Sequence, residues 1–492
     1  MKKLLYSSLI LLSAFFSAQK NTFLSQDFWK TKPTLELVKT EIERGNSVSE
    51  KNGGAFDPVT LAINNKANTE VIKFLVEQPG NSVDKITHDG RIYLHWAAMS
   101  GNTDLVEYLI KKGSDVNFKD TKGTTPLVFA SNAGVVDPKI YQLFFNRGVQ
   151  PTEKYKNGAN ILMLSAGNDD SGNLRKFLLT KGLKLSDTDD YGSTAFDYAA
   201  AFGKMDVLKS LISEKVKPTD KALLFAAQGT RSVTNGLPVY KYLIEDLKLN
   251  PKVTNESGTT VLHLIARKNN QSENITYFIG KGVKAEALDK DGNTALMLAS
   301  SGKDLENVKT LLSQSKNINS VNANGQSALT MAVENGSEEI VAFLLNNKAD
   351  VNISDKKGNN LAYYLLNSYR PPQPNQKDQF SEKLMLLKNA GFDISKPQKD
   401  GNTLYHLAAA KNDLLIFEKL DFKNADINAL NGEKLTALQK AALISKNDKM
   451  LKYLVAKGAS KTAKTEFDET AYDLATENEE LKKNNVSLDF LK

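Results

Sequence analysis

The sequence predicts an all-α repeat fold, a solenoid of helix-loop-helix units with β-hairpin fingers, on three observations. Glycines recur at Gly90, Gly123, Gly158, Gly192, Gly258, Gly292, Gly325, Gly358 and Gly401, and most successive ones lie 33 to 35 residues apart. Each is followed by a Thr-like position, an apolar pair and small residues, as in Thr125-Pro126-Leu127-Val128-Phe129-Ala130 and Thr294-Ala295-Leu296-Met297-Leu298-Ala299. A second apolar set then closes the unit, such as Leu105-Val106 with Leu109-Ile110. A period of that length marks units that cannot bury their apolar surface alone and stack to share it.

From the N-terminus, residues 1–18 read as a signal peptide: Lys2 and Lys3 precede an apolar run over 4–16, and Ser17-Ala18-Gln19 offers a small-residue exit. The run is short of the ~20 apolar residues that span a bilayer. The expectation is cleavage after Ala18, a periplasmic or secreted mature chain, and no stable membrane insertion afterwards. Residues 19–492 are then the solenoid. Residues 22–52 form an N-terminal cap, a helix pair over 23–29 and 34–44 without an incoming hairpin. Repeats fill 53–465, and 466–492 form a C-terminal cap whose polar run 478–485 faces water.

Each part of the unit has a physical task. The Asp/Asn-x-x-Gly segment suits a tight reversal with glycine at positive φ, which makes the finger. Thr125, Thr194, Thr260, Thr294, Thr403, Thr436 and Thr470 precede the inner helix and can cap its free N–H groups, and Pro126 fits the first helical position. Paired alanines keep the inner helix thin, and the spacing of Leu105, Tyr108 and Leu109 gives the outer helix one apolar stripe. Lys112-Gly113, Arg147-Gly148, Lys181-Gly182, Lys281-Gly282 and Lys457-Gly458 stop the outer helix. Two places depart from the pattern. The unit from Asp220 lacks its glycine finger and has a longer turn over 228–238. A Pro-rich insertion at 367–380 widens one spacing to 43 residues, with prolines at 371, 372 and 374 that forbid a helix. One continuous array is expected, with softer joints at 220–240 and 367–380 and an exposed excursion at the insertion.

On these motifs the chain resembles the ankyrin-repeat family, whose Asp-x-x-Gly-x-Thr-Pro-Leu-His-x-Ala-Ala pattern is nearly intact over 90–117, 123–131 and 292–299. Its Leu-Leu-x-x-Gly-Ala-Asp-Val-Asn pattern appears as Leu344-Leu345-Asn346-Asn347-Lys348-Ala349-Asp350-Val351-Asn352. The resemblance covers about residues 22–492 and is closest to exported bacterial members. It implies an ankyrin solenoid that binds proteins.

Composition and motifs narrow the function classes. Apolar residues at 41% and charged residues at 25% exclude a wholly disordered, a collagen-like or a polytopic membrane chain. The net charge of +7 is mild for 492 residues, and the fingers mix charge signs without the one-sign stripe nucleic acid needs. Absence of cysteine excludes disulfides and thiolate chemistry. His95, His263 and His406 occupy the histidine place of the Thr-Pro-Leu-His motif, where the resemblance implies structural hydrogen bonds. There is no His-Glu-x-x-His, no P-loop and no partner motif for Ser300-Ser301-Gly302-Lys303. Asp169-Asp170 and Asp189-Asp190, the visible carboxylate pairs, read as turn formers. No metal, cofactor or catalytic residue is expected.

The reading that follows is a non-enzymatic protein-binding scaffold working through a concave surface of fingers and inner helices. The expected partner contacts are Arg91, Met99, Lys122, Tyr155, Tyr191, Phe202, Arg267, Asn293, Gln326 and Lys357, while Trp96 is expected in the core and Tyr369-Arg370 on the inserted loop. On this reading Arg91→Glu with Lys122→Glu weakens binding without unfolding, and Leu109→Asp unfolds the neighbouring units. Resemblance to exported members linked with periplasmic catalase makes an oxidative-stress enzyme a candidate partner. The alternative is an enzyme or small-ligand binder acting on cell-envelope carbohydrate. An immunity or host-directed role would use the same surface with another partner.

Overall fold

The structure, a computed structural model, describes residues 21–371, 377–420, 422 and 425–492. The signal peptide read at 1–18 and residues 372–376 of the insertion lie outside them. The chain divides into two compact units, Met1–Thr219 and Asp220–Lys492, and the division falls at the repeat that lacks its glycine finger.

Both units are built from short helix pairs. In the first, inner helices Tyr93–Ser100, Pro126–Asn132 and Ala195–Ala200 alternate with outer helices Thr103–Lys111, Pro138–Asn146 and Met205–Ser213. The second repeats the scheme, for example Ala295–Ser300 with Leu305–Leu312 and Ala328–Asn335 with Glu338–Asn346. The inner helices start where the hydroxyls predict. Thr194, Thr260, Thr403, Thr436 and Thr470 each form a reciprocal capping box with the residue three positions on, namely Asp197, His263, His406, Gln439 and Asp473. The alanine pairs Ala97-Ala98, Ala199-Ala200 and Ala441-Ala442 are no more than 1% exposed, so neighbouring inner helices meet at close range. Leu105 and Leu109 on the outer helix are fully buried. Gly113 then takes φ 94°, the left-handed conformation in which an ordinary side chain would be strained.

The fingers correct the expectation of β-hairpins. Among the described residues there is no strand ladder, only isolated bridges between Thr254 and Thr260 and between Val321 and Ser327. Each finger is a closed turn instead. Asp120 N–H donates to the Thr124 carbonyl at 3.0 Å and Gly123 N–H to the Asp120 carbonyl at 2.9 Å, which uses the available pairing in one loop. The next bond runs to the neighbouring finger rather than along the same one. Thr121 N–H reaches the Asp89 carbonyl at 3.0 Å and Asp190 N–H the Asn157 carbonyl at 2.9 Å. In the second unit Lys290 bonds Ser257, Ala323 bonds Asp291, Lys356 bonds Asn324 and Lys399 bonds Gly358 in the same way.

At the described ends of the insertion Arg370, Pro371, Lys377 and Asp378 are exposed, as expected, whereas Tyr369 and Phe380 are buried. Tyr369 is 6% exposed, its hydroxyl donates to Asp413 at 2.9 Å and its ring meets Phe380 edge-on at 5.3 Å. Lys377 pairs with Glu338 and Lys419 with Asp378. The helix that follows, Gln379–Asn389, carries Lys383 into the interior, 2% exposed, with its ammonium donating to the Val333 carbonyl at 3.0 Å.

Burial pushes the Lys383 pKa down to about 8 from 10.5. The unfolded chain therefore binds a proton that the folded chain lacks between those values. The cost of burying this ammonium is full below pH 8 and gone above 10.5, so its contribution to stability improves as pH rises through the window. Lys383→Met removes the cost while leaving one carbonyl without its donor. At pH 7 a net gain of about 1–2 kcal/mol in urea unfolding is expected, shrinking toward pH 10. A variant less stable than the parent at pH 7 would show that the ammonium is net stabilising where it sits.

Candidate recognition face

The face available to a partner is built on the turn chemistry of the fingers. In most fingers the first residue is an Asp or Asn whose side chain accepts from the N–H groups two and four residues on. Asp120 Oδ1 takes Lys122 and Thr124 N–H, both at 2.9 Å, and Asp189 Oδ1 takes Tyr191 at 2.9 Å and Ser193 at 2.7 Å. Asn322 does the same for Asn324 and Gln326. The residue two places after this Asp or Asn is thus set at the tip, while the one four places after is folded back onto the array.

That geometry sorts the expected contacts. Lys122, Tyr191 and Lys357 stand at tips and are exposed, as is Arg267 beyond its inner helix. Lys122 is bonded to Asp89 at 2.9 Å. Met99, Tyr155, Phe202 and Gln326 are half-buried. The Phe202 ring lies so close over Gly167 that a Cβ there would come within 2.0 Å of it.

Arg91 and Asn293 are corrected outright: they occupy the fold-back position and are 7% and 9% exposed. Arg91 Nε donates to Asp120 at 3.0 Å, and a second nitrogen lies 3.2 Å from Asp89. The guanidinium carbon also lies 4.3 Å from the Phe129 ring centre and 5.2 Å from that of Trp96. Asn293 accepts from Asn322 Nδ2 at 2.9 Å and donates to Asp289 at 3.1 Å. The fold-back residues therefore make a polar ladder between successive repeats instead of a surface for a partner.

Sequence reasoning missed another row, the fourth residue of most inner helices, although Leu61, Tyr364 and Leu474 at that place are buried and Lys440 is charged. Phe129, Leu164 and Tyr198 in the first unit and Phe225, Leu264, Leu298, Met331 and Leu407 in the second are all half-buried. The alignment that reveals the repeat also shows this column to be large and mostly apolar, a signal that could have found it. Trp96, in the same column, is 5% exposed with its indole N–H donating to Thr87 at 2.9 Å, a core residue as expected.

The histidines are structural links. His263 Nδ1 accepts from Thr260 N–H at 3.2 Å and lies 2.8 Å from its hydroxyl, while Nε2 lies 3.0 Å from the Asn293 carbonyl of the next repeat. His406 repeats this with Thr403 and Leu435. A carbonyl needs a donor, so the shared state is neutral with the proton on Nε2. Burial pushes the His406 and His95 pKa values down, which favours that state. His95 reaches the Thr124 carbonyl at 3.0 Å, but Ile92 stands where the cap hydroxyl belongs, and His95 Nδ1 is buried without a partner.

The carboxylate pairs do turn chemistry. Asp169 accepts from Arg175 N–H at 2.7 Å, Asp170 pairs with Lys204 at 2.9 Å, and Asp189 also accepts from the Tyr198 hydroxyl at 3.0 Å. Among the described residues no group of three His, Asp or Glu is placed to hold a metal ion, and no helix is long and apolar enough to cross a membrane.

Stacked helix pairs that spend their apolar faces and histidines on one another, leaving finger tips and one inner-helix column open, define a repeat-array binding protein. The family model for ankyrin repeats (3 copies) matches residues 59–154, 129–222, 223–322, 266–355 and 301–370, and the chain belongs to the ankyrin-repeat family. It is 30% identical over 244 residues to the human transient receptor potential cation channel subfamily A member 1, covering 46% of this chain and 21% of that protein. It is 32% identical over 162 residues to a palmitoyltransferase of Lachancea kluyveri, covering 31% of this chain and 21% of the relative. An ankyrin repeat-containing protein of Schizosaccharomyces pombe is 31% identical over 108 residues, 22% of this chain and 46% of its own length. The chain thus spans a fifth to just under half of the length of these relatives, and the palmitoyltransferase likeness lies in the repeats. Ankyrin repeats are protein-interaction modules, and the chain is a scaffold of that class.

Proposed function

We propose that this chain is an exported, non-enzymatic scaffold that holds a folded partner protein against its finger tips and the fourth-position column of its inner helices. One observation carries the reading. The buried apolar surface is spent on repeat-to-repeat stacking, and the large side chains left half-open recur at one position of successive inner helices, beside exposed tips such as Lys122 and Tyr191. Aromatic and cationic side chains on a rigid frame dominate protein interfaces. Support for export is the residue pattern of 1–18, and the destination is the periplasm or the medium. An envelope or oxidative-stress enzyme is the partner class proposed, with a periplasmic catalase the first bait on family resemblance.

Crosslinking in the native envelope, followed by binding of the recovered partner to the purified chain, tests this. Tyr191→Ala with Lys122→Glu is expected to weaken that binding about tenfold with an unchanged melting temperature, and the recovered chain is expected to begin at Gln19. A partner bound equally well by the double variant would remove the fingers from the interface. Recovery of no protein would remove the scaffold reading.

A further inference from the structure

Most finger tips carry mixed charge, and lysines on or near them can be met by carboxylates of a neighbouring repeat. Lys122 is held by Asp89 at 2.9 Å, Lys85 by Asp57 at 2.8 Å and Lys221 by Glu256 at 3.3 Å. One pair of fingers brings three lysines to a single cavity. Between the turn at 355–359 and the turn at 398–402 lies a cavity of about 430 Å³ whose wall includes Lys356, Lys396 and Lys399. Among the described residues, none of these three lysines makes an ion pair or a side-chain hydrogen bond.

The nearby carboxylates accept hydrogen bonds within their own repeats, and the Asp393 carboxyl, held below its usual range first by Ser395, also feels the charge of Lys396. Asp355, the acidic residue in the wall, accepts from the Tyr364 hydroxyl at 2.7 Å and from Asn359 N–H and Nδ2, both at 2.9 Å. Asp393 accepts from Ser395 N–H at 3.0 Å and from its hydroxyl at 2.6 Å, and Asp400 from Asn402 Nδ2 at 2.6 Å. Two of the lysines are anchored at their main chain. Lys399 N–H donates to the Gly358 carbonyl at 3.1 Å, and its stem lies so close over Gly358 that a Cβ there would meet it at 2.1 Å. The Lys356 backbone N–H donates to the Asn324 carbonyl at 2.9 Å.

We infer that this cavity is a binding site for a small ligand carrying two or more phosphate groups. Three lysines in the wall of one cavity, against the single carboxylate of Asp355, bring donors and positive charge in excess, and a ligand with several negative charges matches them. A single carboxylate is too little charge, whereas a di- or triphosphate presents many anionic oxygens in a compact volume. Phe392 and Pro397 supply an apolar wall for the group that bears the phosphates. The site is separate from the protein-binding reading, and neither depends on the other.

Titration calorimetry of the full chain at low salt, with tripolyphosphate, pyrophosphate, orthophosphate and a glutamate-rich peptide, tests the assignment. Tripolyphosphate is expected to bind more tightly than orthophosphate or the peptide. It should lose about tenfold in affinity for each of Lys356→Gln, Lys396→Gln and Lys399→Gln. Lys139→Gln, on an outer helix, is expected to change nothing, and melting temperatures report that each single variant is folded. The inference is overturned if tripolyphosphate fails to bind, if the folded single variants bind it as the parent does, or if the glutamate-rich peptide binds equally well.

Discussion

Arg91→Glu is expected to destabilise the Met1–Thr219 unit by about 3–5 kcal/mol, the usual cost of breaking a buried ion pair by changing one partner. The sequence alone points to a different result, weaker partner binding by a protein that stays folded. The structure reverses that expectation because Arg91 is the cation between Asp89 and Asp120, and its guanidinium lies near the Trp96 and Phe129 rings. A glutamate there would set a carboxylate against the fully buried Asp120 and beside Asp89, with the exposed Lys122 left to compensate the Asp89 side alone. Urea unfolding followed by circular dichroism would show the loss. Arg91→Met combined with Asp120→Asn is expected to recover most of it, since the asparagine oxygen can still accept from Lys122 and Thr124 N–H while the buried charge is removed. Equal stability of Arg91→Glu and the parent would refute the buried pair.

Leu109→Asp is expected to cost still more. Leu109 is fully buried on the outer helix Thr103–Lys111. Truncating such a leucine costs roughly 2–5 kcal/mol, and an unpaired carboxylate in the same place adds several more. Repeats lend stability to their neighbours through shared interfaces, so the loss spreads along the unit instead of staying within one helix pair. A thermal melt should show a large drop in helical signal or a transition displaced by tens of degrees. A melt superimposable on that of the parent would mean that the outer helix turns a different face inward.

What the sequence made legible was whatever depends on residues close in the chain. Threonine before an inner helix, glycine after an outer one and the apolar stripe at Leu105 and Leu109 all follow from local geometry, and each is found in place. The failures share one cause. Arg91 and Asn293 sit among turn residues and are polar, so pattern alone leaves open whether their polar atoms meet water or the next repeat. The same holds for strand pairing in the fingers, where the N–H that would extend a hairpin is given to the adjacent finger. The prolines beside Tyr369 point to an exposed loop, whereas its hydroxyl is bound by Asp413, 44 residues away. The weak point at His95 was readable in retrospect, since Ile92 visibly replaces the hydroxyl residue found before His263 and His406.

The main-chain bonds that join one finger to the next have a consequence for how this surface can vary. The spacing of neighbouring tips is fixed by peptide groups, which every residue other than proline can supply, and not by the side chains the tips display. A tip can therefore exchange lysine for tyrosine, or acid for base, without displacing the tips on either side. Within each unit the fingers behave as a ruled scale whose marks can be rewritten one at a time, and a new partner can be matched by successive single replacements on an unmoved frame.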